Sequence, residues 1–438
     1  MQNKEKKKLF YWSDSPVVQT GLGRVSQNIL RSIYETGEWD IEVMGANHNV
    51  PFYDQKEFPY TIYNPKAITP KDPYGMQILS EFLMEGGFDV FMSVFDADIV
   101  MEMSEVIKKA KEKNNFTFIA YIPIDSEFVA PIYKDIIELA DIPIYYSKHG
   151  YELCKKEFGK LADKGEVIYH GTDPDVFYPI VEQDRKRLRK KIFDIDDDTT
   201  LFVNVGRNQW RKDFYRTVLA YLVYYETYNK NSKLYLHCKR EDLGGDIFQV
   251  IAGACCQMGV PIKEMFGDHI MITAKDFNES FGVPVSSLNK VYNCADAIIS
   301  TNQGEGWGLT TTEGMSVQRP VVAPRNTSTK EILGEKEERG YLVDSGSNIN
   351  LWQMNYGWSN TPRPVVDINS MVAKMIEATT NKKESKKKAI KARNWILNNT
   401  WSQVGKKWIK VLDKAYEMKC KMEVYSPVGD KTGATITG

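Results

Sequence analysis

Two basic side chains lie on a loop between a predicted strand and a predicted helix. The strand at residues 201–205 is followed by residues 206–213, which contain Arg207 and Lys212, and a helical pattern begins at Phe214. Two cations at the start of a helix can close on a phosphate or diphosphate from two sides, and the helix N-terminus adds free amides. Because basic loops are common, a solvated basic loop is the alternative interpretation.

A second loop combines three glycines with two carboxylates. Residues 302–313 read Asn-Gln-Gly-Glu-Gly-Trp-Gly-Leu-Thr-Thr-Thr-Glu, which places Glu305 on the loop and Glu313 in the helix that follows. Glycines allow backbone amides to approach a ligand closely, and a carboxylate can accept hydrogen bonds from two neighbouring sugar hydroxyls. The loop predicts an anion site with a carboxylate on each side, and a glycine-rich turn with surface glutamates is the alternative.

A third loop follows the first predicted strand. Residues 20–24 read Thr-Gly-Leu-Gly-Arg and open a helix, so Gly21 and Gly23 lie at its start. A dinucleotide-binding turn would carry a third glycine and a shorter preceding loop, so the match to that fingerprint is incomplete. We interpret the segment as a loop that approaches a ligand in a cleft.

The elements that must position these loops are short strands alternating with amphipathic helices, which is typical of parallel βαβ units. Two series of predicted strands occur, the first at residues 9–13, 41–44, 89–95, 116–122, 142–147 and 167–169, and the second at residues 201–205, 233–238, 270–273, 297–301 and 321–323. Two doubly wound sheets place their ligand crevices beyond the carboxyl ends of the strands. Facing sheets would therefore enclose one cleft.

Proline and unbalanced charge at residues 173–198 indicate a surface connection between the two series. We predict three units: an N-terminal Rossmann-like domain at residues 1–180, a second Rossmann-like domain at residues 181–398, and a closing helix at residues 399–425. One face of that helix is apolar and carries Val404, Trp408, Val411, Leu412 and Ala415.

Composition excludes several classes of protein. The 438 residues include 57 Lys plus Arg and 58 Asp plus Glu, so the net charge of −1 gives no global attraction to nucleic acid or anionic membranes. No apolar stretch reaches the roughly 18 residues that span a bilayer, and no signal peptide is recognised. The six cysteines lack metal-binding spacing, so we expect free thiols, no structural metal and a cytoplasmic location.

The motifs in this order resemble the retaining GT-B glycosyltransferases of family four, a resemblance that extends over about residues 10–419. Its most specific parts are Tyr-Asn-Cys-Ala-Asp-Ala at 292–297, Gly-Glu-Gly-Trp-Gly-Leu at 304–309, Glu-Gly-Met at 313–315 and Arg-Pro-Val-Val-Ala at 319–323. The resemblance implies an α/β GT-B fold with two Rossmann-like domains facing a central cleft. It also implies transfer of a hexose from a UDP- or GDP-linked donor, with retention and without an obligatory metal or cofactor.

The resemblance further implies roles for individual residues. Arg207 and Lys212 would stabilise the departing diphosphate, Glu305 would contact the sugar hydroxyls as the third catalytic residue, and Glu313 would bind the nucleotide ribose. Gly21 and Gly23 would line the donor phosphate from the other domain. The remaining donor-binding positions would act mainly through their backbone amides: Gly306, Trp307, Gly308, Leu309 and Thr310.

One departure from the family concerns the N-terminal side of the cleft. Many members carry a histidine near the transferred sugar, whereas this chain has Pro-Ile-Asp-Ser-Glu at residues 123–127. Asp125 is the candidate for that place, as a sugar ligand or an acceptor contact, and a cap of the next helix is the alternative. Base recognition is expected around residues 274–277, and acceptor recognition at loops such as residues 50–74.

The acceptor is left open by the sequence. A saccharide, a lipid-linked sugar or another small acceptor fits the resemblance, with peripheral membrane contact through the basic N-terminal head. A lysine-rich stretch at residues 382–393 is the support for a nucleic-acid acceptor, such as a modified base, and a solvated helix face is the alternative interpretation of that stretch. A non-catalytic protein that binds sugar nucleotides is the third alternative, because a fold does not determine a function.

Replacing Arg207 with alanine is expected to lower turnover of a sugar nucleotide by roughly two orders of magnitude, because a preorganised cation is lost from the leaving group. Glu313→Ala is expected mainly to weaken donor binding. A panel of sugar nucleotides, assayed for hydrolysis and for thermal stabilisation of wild type and both variants, measures these effects. Unchanged turnover in Arg207→Ala would contradict the role given to that residue.

Overall fold

The computed structural model describes residues 5–48, 50, 52–273, 284–354 and 361–425. A parallel sheet of seven strands forms the core of the first domain, in the order β3-β2-β1-β4-β5-β6-β7. Its strands are β1 (Lys7–Asp14), β2 (Trp39–Ala46), β3 (Thr61–Tyr63), β4 (Val90–Val94), β5 (Thr117–Ile122), β6 (Ile142–Tyr145) and β7 (Glu166–Val167). Its helices are α1 (Gly21–Tyr34), α2 (Pro65–Ile68), α3 (Met76–Glu85), α4 (Ala97–Glu102), α5 (Ser104–Lys113), α6 (Ile132–Leu139) and α7 (Lys148–Phe158).

The second domain is built on a parallel sheet of six strands, in the order β12-β9-β8-β13-β14-β15. These strands are β8 (Thr200–Val205), β9 (Ser232–His237), β12 (Ile270–Ile272), β13 (Ala297–Ile299), β14 (Val321–Pro324) and β15 (Tyr341–Val343). Two hairpins project from it, formed by β10 (Glu241–Asp242), β11 (Gly245–Asp246), β16 (Trp352–Met354) and β17 (Pro362–Pro364). The later helices are α8 (Glu182–Phe193), α9 (Phe214–Thr227), α10 (Ile247–Met258), α11 (Ile262–Met265), α12 (Val285–Cys294), α13 (Leu309–Ser316), α14 (Thr327–Leu333), α15 (Ile368–Thr380), α16 (Lys382–Leu397) and α17 (Trp401–Tyr425).

Both sheets follow the doubly wound order 3-2-1-4-5-6, so the predicted fold class is confirmed. Alternate residues of β1 enter the cores on opposite faces of the first sheet. Leu9 belongs to the core that includes Val25 of α1, whereas Phe10 belongs to the core that includes Leu79 of α3. Because side chains alternate along a strand, a strand covered on both faces reads as a continuous apolar run.

Every predicted strand is present, and β3, β15 and the two hairpins are the additional ones. The additional strands are only two or three residues long, too short to show a period in the sequence. The predicted face of α17 is buried, since Val404, Trp408, Val411, Leu412 and Ala415 are each at most 2% exposed. This helix lies against α1, β4 and β5, so it contacts the first domain although it follows the second in sequence.

The interpretation of residues 173–198 as a surface connection fails at two of its basic residues, whereas the other Lys and Arg side chains of the basic run are exposed. That stretch contains α8, in which Arg185 and Arg189 are 6% and 0% exposed. Both guanidinium groups donate to Asp296, at 2.6 Å from Arg185 and 3.0 Å from Arg189. A planar fork of five donors can satisfy one carboxylate and several carbonyls at once, which makes buried arginine tolerable here.

His170 is surrounded by aromatic rings at the place where the two domains and α17 meet. It is 4% exposed, and its ring centroid is 4.3 Å from that of Tyr146 and 6.0 Å from that of Trp401. Among the described residues, neither ring nitrogen has a hydrogen-bond partner. Burial lowers the pKa of His170 to about 3, so the folded protein holds the imidazole neutral.

The buried imidazole predicts a pH-dependent stability. The folded pKa lies below the unfolded value, so the stabilisation is complete above pH 6.5 and declines as the unfolded chain takes up a proton at lower pH. Relative to His170→Phe, the free energy of unfolding of wild type should fall by up to about 1.4 kcal/mol per pH unit below that value. Urea unfolding from about pH 7.5 to pH 4.5 measures the slope, and parallel curves for the two proteins would contradict it.

Candidate functional site

The candidate site lies where strand order reverses in both sheets. In the second sheet, β8 has β9 on one side and β13 on the other, and in the first sheet β1 has β2 and β4 as neighbours. Loops that leave such neighbouring strands in opposite directions open a crevice at the carboxyl edge of the sheet. The loops after β8 and β13 carry the predicted cations and glycines, and the loops after β1 and β4 face them from the first domain.

Glu305 gathers two cations from the loop after β8. Lys212 forms a close ion pair with Glu305 Oε1, and Arg211 Nη1 lies 3.3 Å from Oε2. The side chains of Glu305 and Lys212 are only 10% and 17% exposed. Burial alone would raise the pKa of Glu305, but Lys212 and Arg211 together hold it below its usual value. Burial lowers the pKa of Lys212 in spite of Glu305.

Arg207 points elsewhere. Its guanidinium forms a two-point contact with Asp242 on the β10–β11 hairpin, at 2.7 Å from Nε and 3.1 Å from Nη2. This hydrogen bonding raises the pKa of Arg207, and the charge of Asp14 in the first domain adds to the effect. The structure therefore brings Lys212 to Glu305, whereas Arg207 lies beside another carboxylate at the edge of the same cleft.

The glycine-rich loop leads directly into α13. Gly304 has φ of 149°, and a Cβ atom there would lie 1.9 Å from the carbonyl oxygen of Asp125, so the close approach of the two domains requires glycine. Gly308 is the N-cap of α13 and provides no side-chain cap. The first amides of a helix have no intrahelical acceptor, so those of Leu309 and Thr310 are placed to bind an anion.

Trp307 occupies a different environment from the rest of the loop. It is 3% exposed, and its ring packs against those of Tyr169 and Trp395 at centroid distances of 4.6 and 6.1 Å. The Ser328 hydroxyl lies 2.8 Å from the carbonyl oxygen of Glu305 and 2.7 Å from that of Trp307, so its single proton is shared between the two acceptors. The indole thus fixes the loop in place. Only the backbone of Trp307 is left to make the predicted contact with the nucleotide-sugar donor.

The first domain contributes the loop before α1. The amide of Gly23 donates to the Thr20 hydroxyl at 2.9 Å, and a Cβ atom at Gly23 would lie 2.3 Å from the carbonyl oxygen of Val18. Gly21 faces the second domain, where a Cβ atom would lie 4.0 Å from Leu309. Gly21 therefore lies next to the N-terminus of α13, whereas Gly23 packs within its own loop of the first domain.

Asp125 is held by arginines of the second domain. Arg363 on β17 donates to its carboxylate at 2.8 Å and to its backbone carbonyl at 2.5 Å, and Arg211 Nε lies 3.8 Å from the carboxylate. Burial alone would raise the pKa of Asp125, but Arg363 and Arg211 lower it. The interpretation of Asp125 as a helix cap is wrong, because α6 begins at Ile132 after Pro131 without a side-chain cap.

Glu313 is also contacted from the first domain. Arg24 Nη1 lies 2.5 Å from Oε1, and the Tyr292 hydroxyl donates to Oε2 at 2.7 Å. Glu313 is 3% exposed. The carboxylate predicted to bind ribose therefore lies at the boundary between the domains, with one donor on each oxygen.

Sequence reasoning missed four charged residues of the cleft. Arg211 adjoins Lys212 and Arg24 adjoins Gly23, so proximity to the motifs was a usable signal. Asp96 follows β4, where desolvation in the cleft and the carboxylates of Asp125 and Asp98 raise its pKa to about 7. A carboxylate at a strand exit could have been found by the same rule that found the loops. Arg363 lies on a hairpin that gives no sequence signal.

The lysine-rich stretch at residues 382–393 forms α16 and divides into two groups. Lys388 and Arg393 are bound internally, to the Gly340 carbonyl at 3.1 Å and the Phe177 carbonyl at 2.7 Å. The exposed members are Lys382, Lys383, Lys386, Lys387 and Lys391. The expected base-recognition segment at residues 274–277 lies outside the described residues, and the acceptor loop at residues 50–74 is described except for residue 51.

Within the described ranges, no group of three or more His, Cys, Asp or Glu side chains is arranged to hold a metal ion. In the same part of the chain, no helix combines the length and apolar character needed to cross a membrane. All six cysteines are free thiols, as predicted, and four of them are buried.

Comparison with known proteins agrees with this geometry. Residues 276–353, which include the glycine-rich loop, Glu305 and Glu313, match the family model described as glycosyl transferases group 1. An uncharacterized glycosyltransferase from Methanocaldococcus jannaschii is 22% identical over 250 residues. That alignment covers 51% of this chain, and the chain spans 58% of the length of the curated relative.

Solved structures match over nearly the whole chain. Sucrose-phosphate synthase from Thermosynechococcus elongatus has a TM-score of 0.69 at 14% identity, covering 94% of this chain and 100% of that one. A glycosyltransferase from Rickettsia africae has a TM-score of 0.67 at 15% identity, with 95% and 100% coverage. HepE of Anabaena, solved in complex with UDP and glucose, has a TM-score of 0.64 at 12% identity, with 94% and 100% coverage. The fold is GT-B, and together with the family match it supports a GT-B glycosyltransferase.

Asp125→Ala is expected to lower the free energy of unfolding by about 3 kcal/mol, because a buried arginine loses the carboxylate that compensates its charge. Arg363 is 3% exposed, so water replaces that partner poorly. Urea unfolding measures the loss, with Asp135→Ala on the exposed side of α6 as a control that should stay within about 0.5 kcal/mol of wild type. If Asp125 serves only as a sugar or acceptor contact, its variant will instead keep wild-type stability and lose turnover.

Proposed function

We propose that this protein is a retaining hexosyltransferase of family four, which transfers a sugar from a nucleoside diphosphate to an acceptor. The observation that carries the proposal is the cluster of Lys212, Arg211 and Glu305 beside the uncapped N-terminus of α13. It joins a diphosphate-binding arrangement to a carboxylate for sugar hydroxyls at the point where both sheets open. We assign residues 1–180 to the acceptor domain, 181–398 to the donor domain and 399–425 to the helix that returns to the first domain.

The cations act on the leaving group. When the bond between the anomeric carbon and the phosphate oxygen breaks, its electron pair passes to the diphosphate, where fixed positive charge lowers the barrier. An ammonium has three N–H donors, so Lys212 can keep Glu305 and still donate to phosphate oxygens. Arg207 lies at the edge of the cleft, where Asp242 fixes the position of its guanidinium group. From that position it can contact the diphosphate on the side opposite Lys212.

The carboxylate acts on the sugar. Lys212 and Arg211 keep Glu305 ionised, and an ionised carboxylate only accepts hydrogen bonds, which suits neighbouring sugar hydroxyls. Its negative charge also stabilises the positive charge that develops on the sugar ring as the diphosphate departs. Both of these roles are thus proposed for residues at the carboxyl edge of the second sheet.

The donor is proposed to be UDP- or GDP-linked, and the complex of HepE with UDP and glucose favours UDP. The acceptor is proposed to be a saccharide, a lipid-linked sugar or another small molecule that enters between the domains, and the reaction to take place in the cytoplasm. A nucleic-acid acceptor is the second candidate, favoured by the exposed lysines at residues 382–391 of α16, which could contact phosphates.

Incubation of the wild-type enzyme with UDP- and GDP-linked α-hexoses and an acceptor panel is expected to yield an α-linked product, identified by its anomeric proton in NMR spectra. Lys212→Met should lower turnover by about two orders of magnitude, because the cation at the leaving group is lost. Lys230→Met removes a lysine whose partner is Glu226 on the surface, and it should behave as wild type. A β-linked product would overturn retention, and nucleotide binding without turnover across the panel would favour the non-catalytic alternative.

A further inference from the structure

Glu313 is a carboxylate with one hydrogen-bond donor on each oxygen. Arg24 reaches Oε1 at 2.5 Å, and the Tyr292 hydroxyl reaches Oε2 at 2.7 Å. A carboxylate has about four acceptor positions, so these two donors from the described part of the chain leave two. Two acceptor positions on one group suit the vicinal hydroxyls of a ribose, which is the ligand proposed for this residue.

The two donors come from different domains. Tyr292 belongs to α12 of the second domain, as Glu313 belongs to α13, whereas Arg24 belongs to the first turn of α1 in the first domain. Arg24 and Glu313 are 289 positions apart in the sequence. The direction of the carboxylate is therefore set by both domains together.

Burial increases the energetic importance of the contact between Arg24 and Glu313. Glu313 is 3% exposed, and the side chain of Arg24 is 22% exposed. A buried carboxylate is costly unless a cation or several donors accompany it. The backbone around Arg24 is itself fixed, because its carbonyl accepts a hydrogen bond from the Asn28 side chain at 2.8 Å.

We propose that Arg24 is a positioning residue for nucleotide binding, which fixes Glu313 so that the site for the ribose diol is completed by the first domain. The inference rests on the proposed function and on the role that the family resemblance implies for Glu313, which is to accept hydrogen bonds from the ribose of the nucleoside diphosphate. Arg24 affects nucleotide binding through its contact with Glu313. Because that contact joins the two domains, nucleotide binding depends on the domains being in contact. Its removal loosens the carboxylate and so weakens only those contacts that the ribose hydroxyls make.

The test compares UDP and GDP with their 2′,3′-dideoxy analogues by isothermal titration calorimetry. Wild type should bind the ribonucleotide more tightly than its dideoxy analogue. Arg24→Ala should weaken the ribonucleotide by about tenfold and leave the dideoxy analogue unchanged, as expected when hydrogen bonds to a charged group are lost. Arg24→Lys, which keeps the charge without the planar fork, should lie between these values.

Arg31→Ala provides the matched control, because Arg31 is exposed and lies in the last turn of the same helix. It should bind both nucleotides as wild type does. Unchanged dideoxy binding in Arg24→Ala also shows that the variant is folded, and Arg24→Lys preserves the test if the alanine variant does not fold.

Three outcomes would overturn the inference while leaving the proposed function in place: an equal loss for both nucleotides in Arg24→Ala, no loss at all, or tighter ribonucleotide binding. The last of these would show that Arg24 occupies the place of the ribose. Failure of wild type to bind UDP or GDP would instead overturn the proposed function, and the inference with it.

Discussion

Ion pairs that cross the boundary between the domains hold the two halves of this protein in register. Asp125 of the first domain is paired with Arg363 of the second, and Glu313 of the second is paired with Arg24 of the first. In a cleft walled by protein, an uncompensated charge costs several kcal/mol, so each pair favours one relative placement of the sheets. The same pairs surround the candidate site. The relative placement of the domains that pairs these charges is therefore also the placement that brings the residues of the candidate site together.

The topology explains why such distant residues meet. Parallel strands present all their carboxyl ends at one edge, and reversal of strand order opens a gap there. In the second sheet this gap lies between β8 and β13, so the loop with Lys212 and the loop with Glu305 begin from neighbouring strands. In the first sheet the corresponding gap lies between β1 and β4. Two gaps that face each other make one cleft between the domains.

Packing and hydrogen bonds fix the glycine-rich loop on the side that faces the protein interior. The indole of Trp307 is buried against Tyr169 and Trp395. The Ser328 hydroxyl hydrogen-bonds with two carbonyl oxygens of the loop, those of Glu305 and Trp307. The carbonyls and the apolar side chain are thus bound within the protein, which leaves the amides at the start of α13 for a ligand. Donors fixed before the ligand arrives stabilise developing charge without a cost of reorganisation. Glycine at Gly304 permits this loop to touch the backbone of Asp125 across the domain boundary.

The sequence alone determined the two parallel sheets, the closing helix and the loops after β8 and β13, because apolar periodicity and glycine spacing are local properties. The family resemblance also assigned Lys212 and Glu305 to one donor site, but it did not pair them with each other. Only the tertiary structure decided the partners: that Arg207 turns to Asp242, that Arg211 joins Lys212, and that Arg24 meets Glu313. It likewise showed that Arg185 and Arg189 are buried, where a charged run suggested a surface. Which carboxylate a cation meets depends on the packing of distant elements, and no local pattern contains that information.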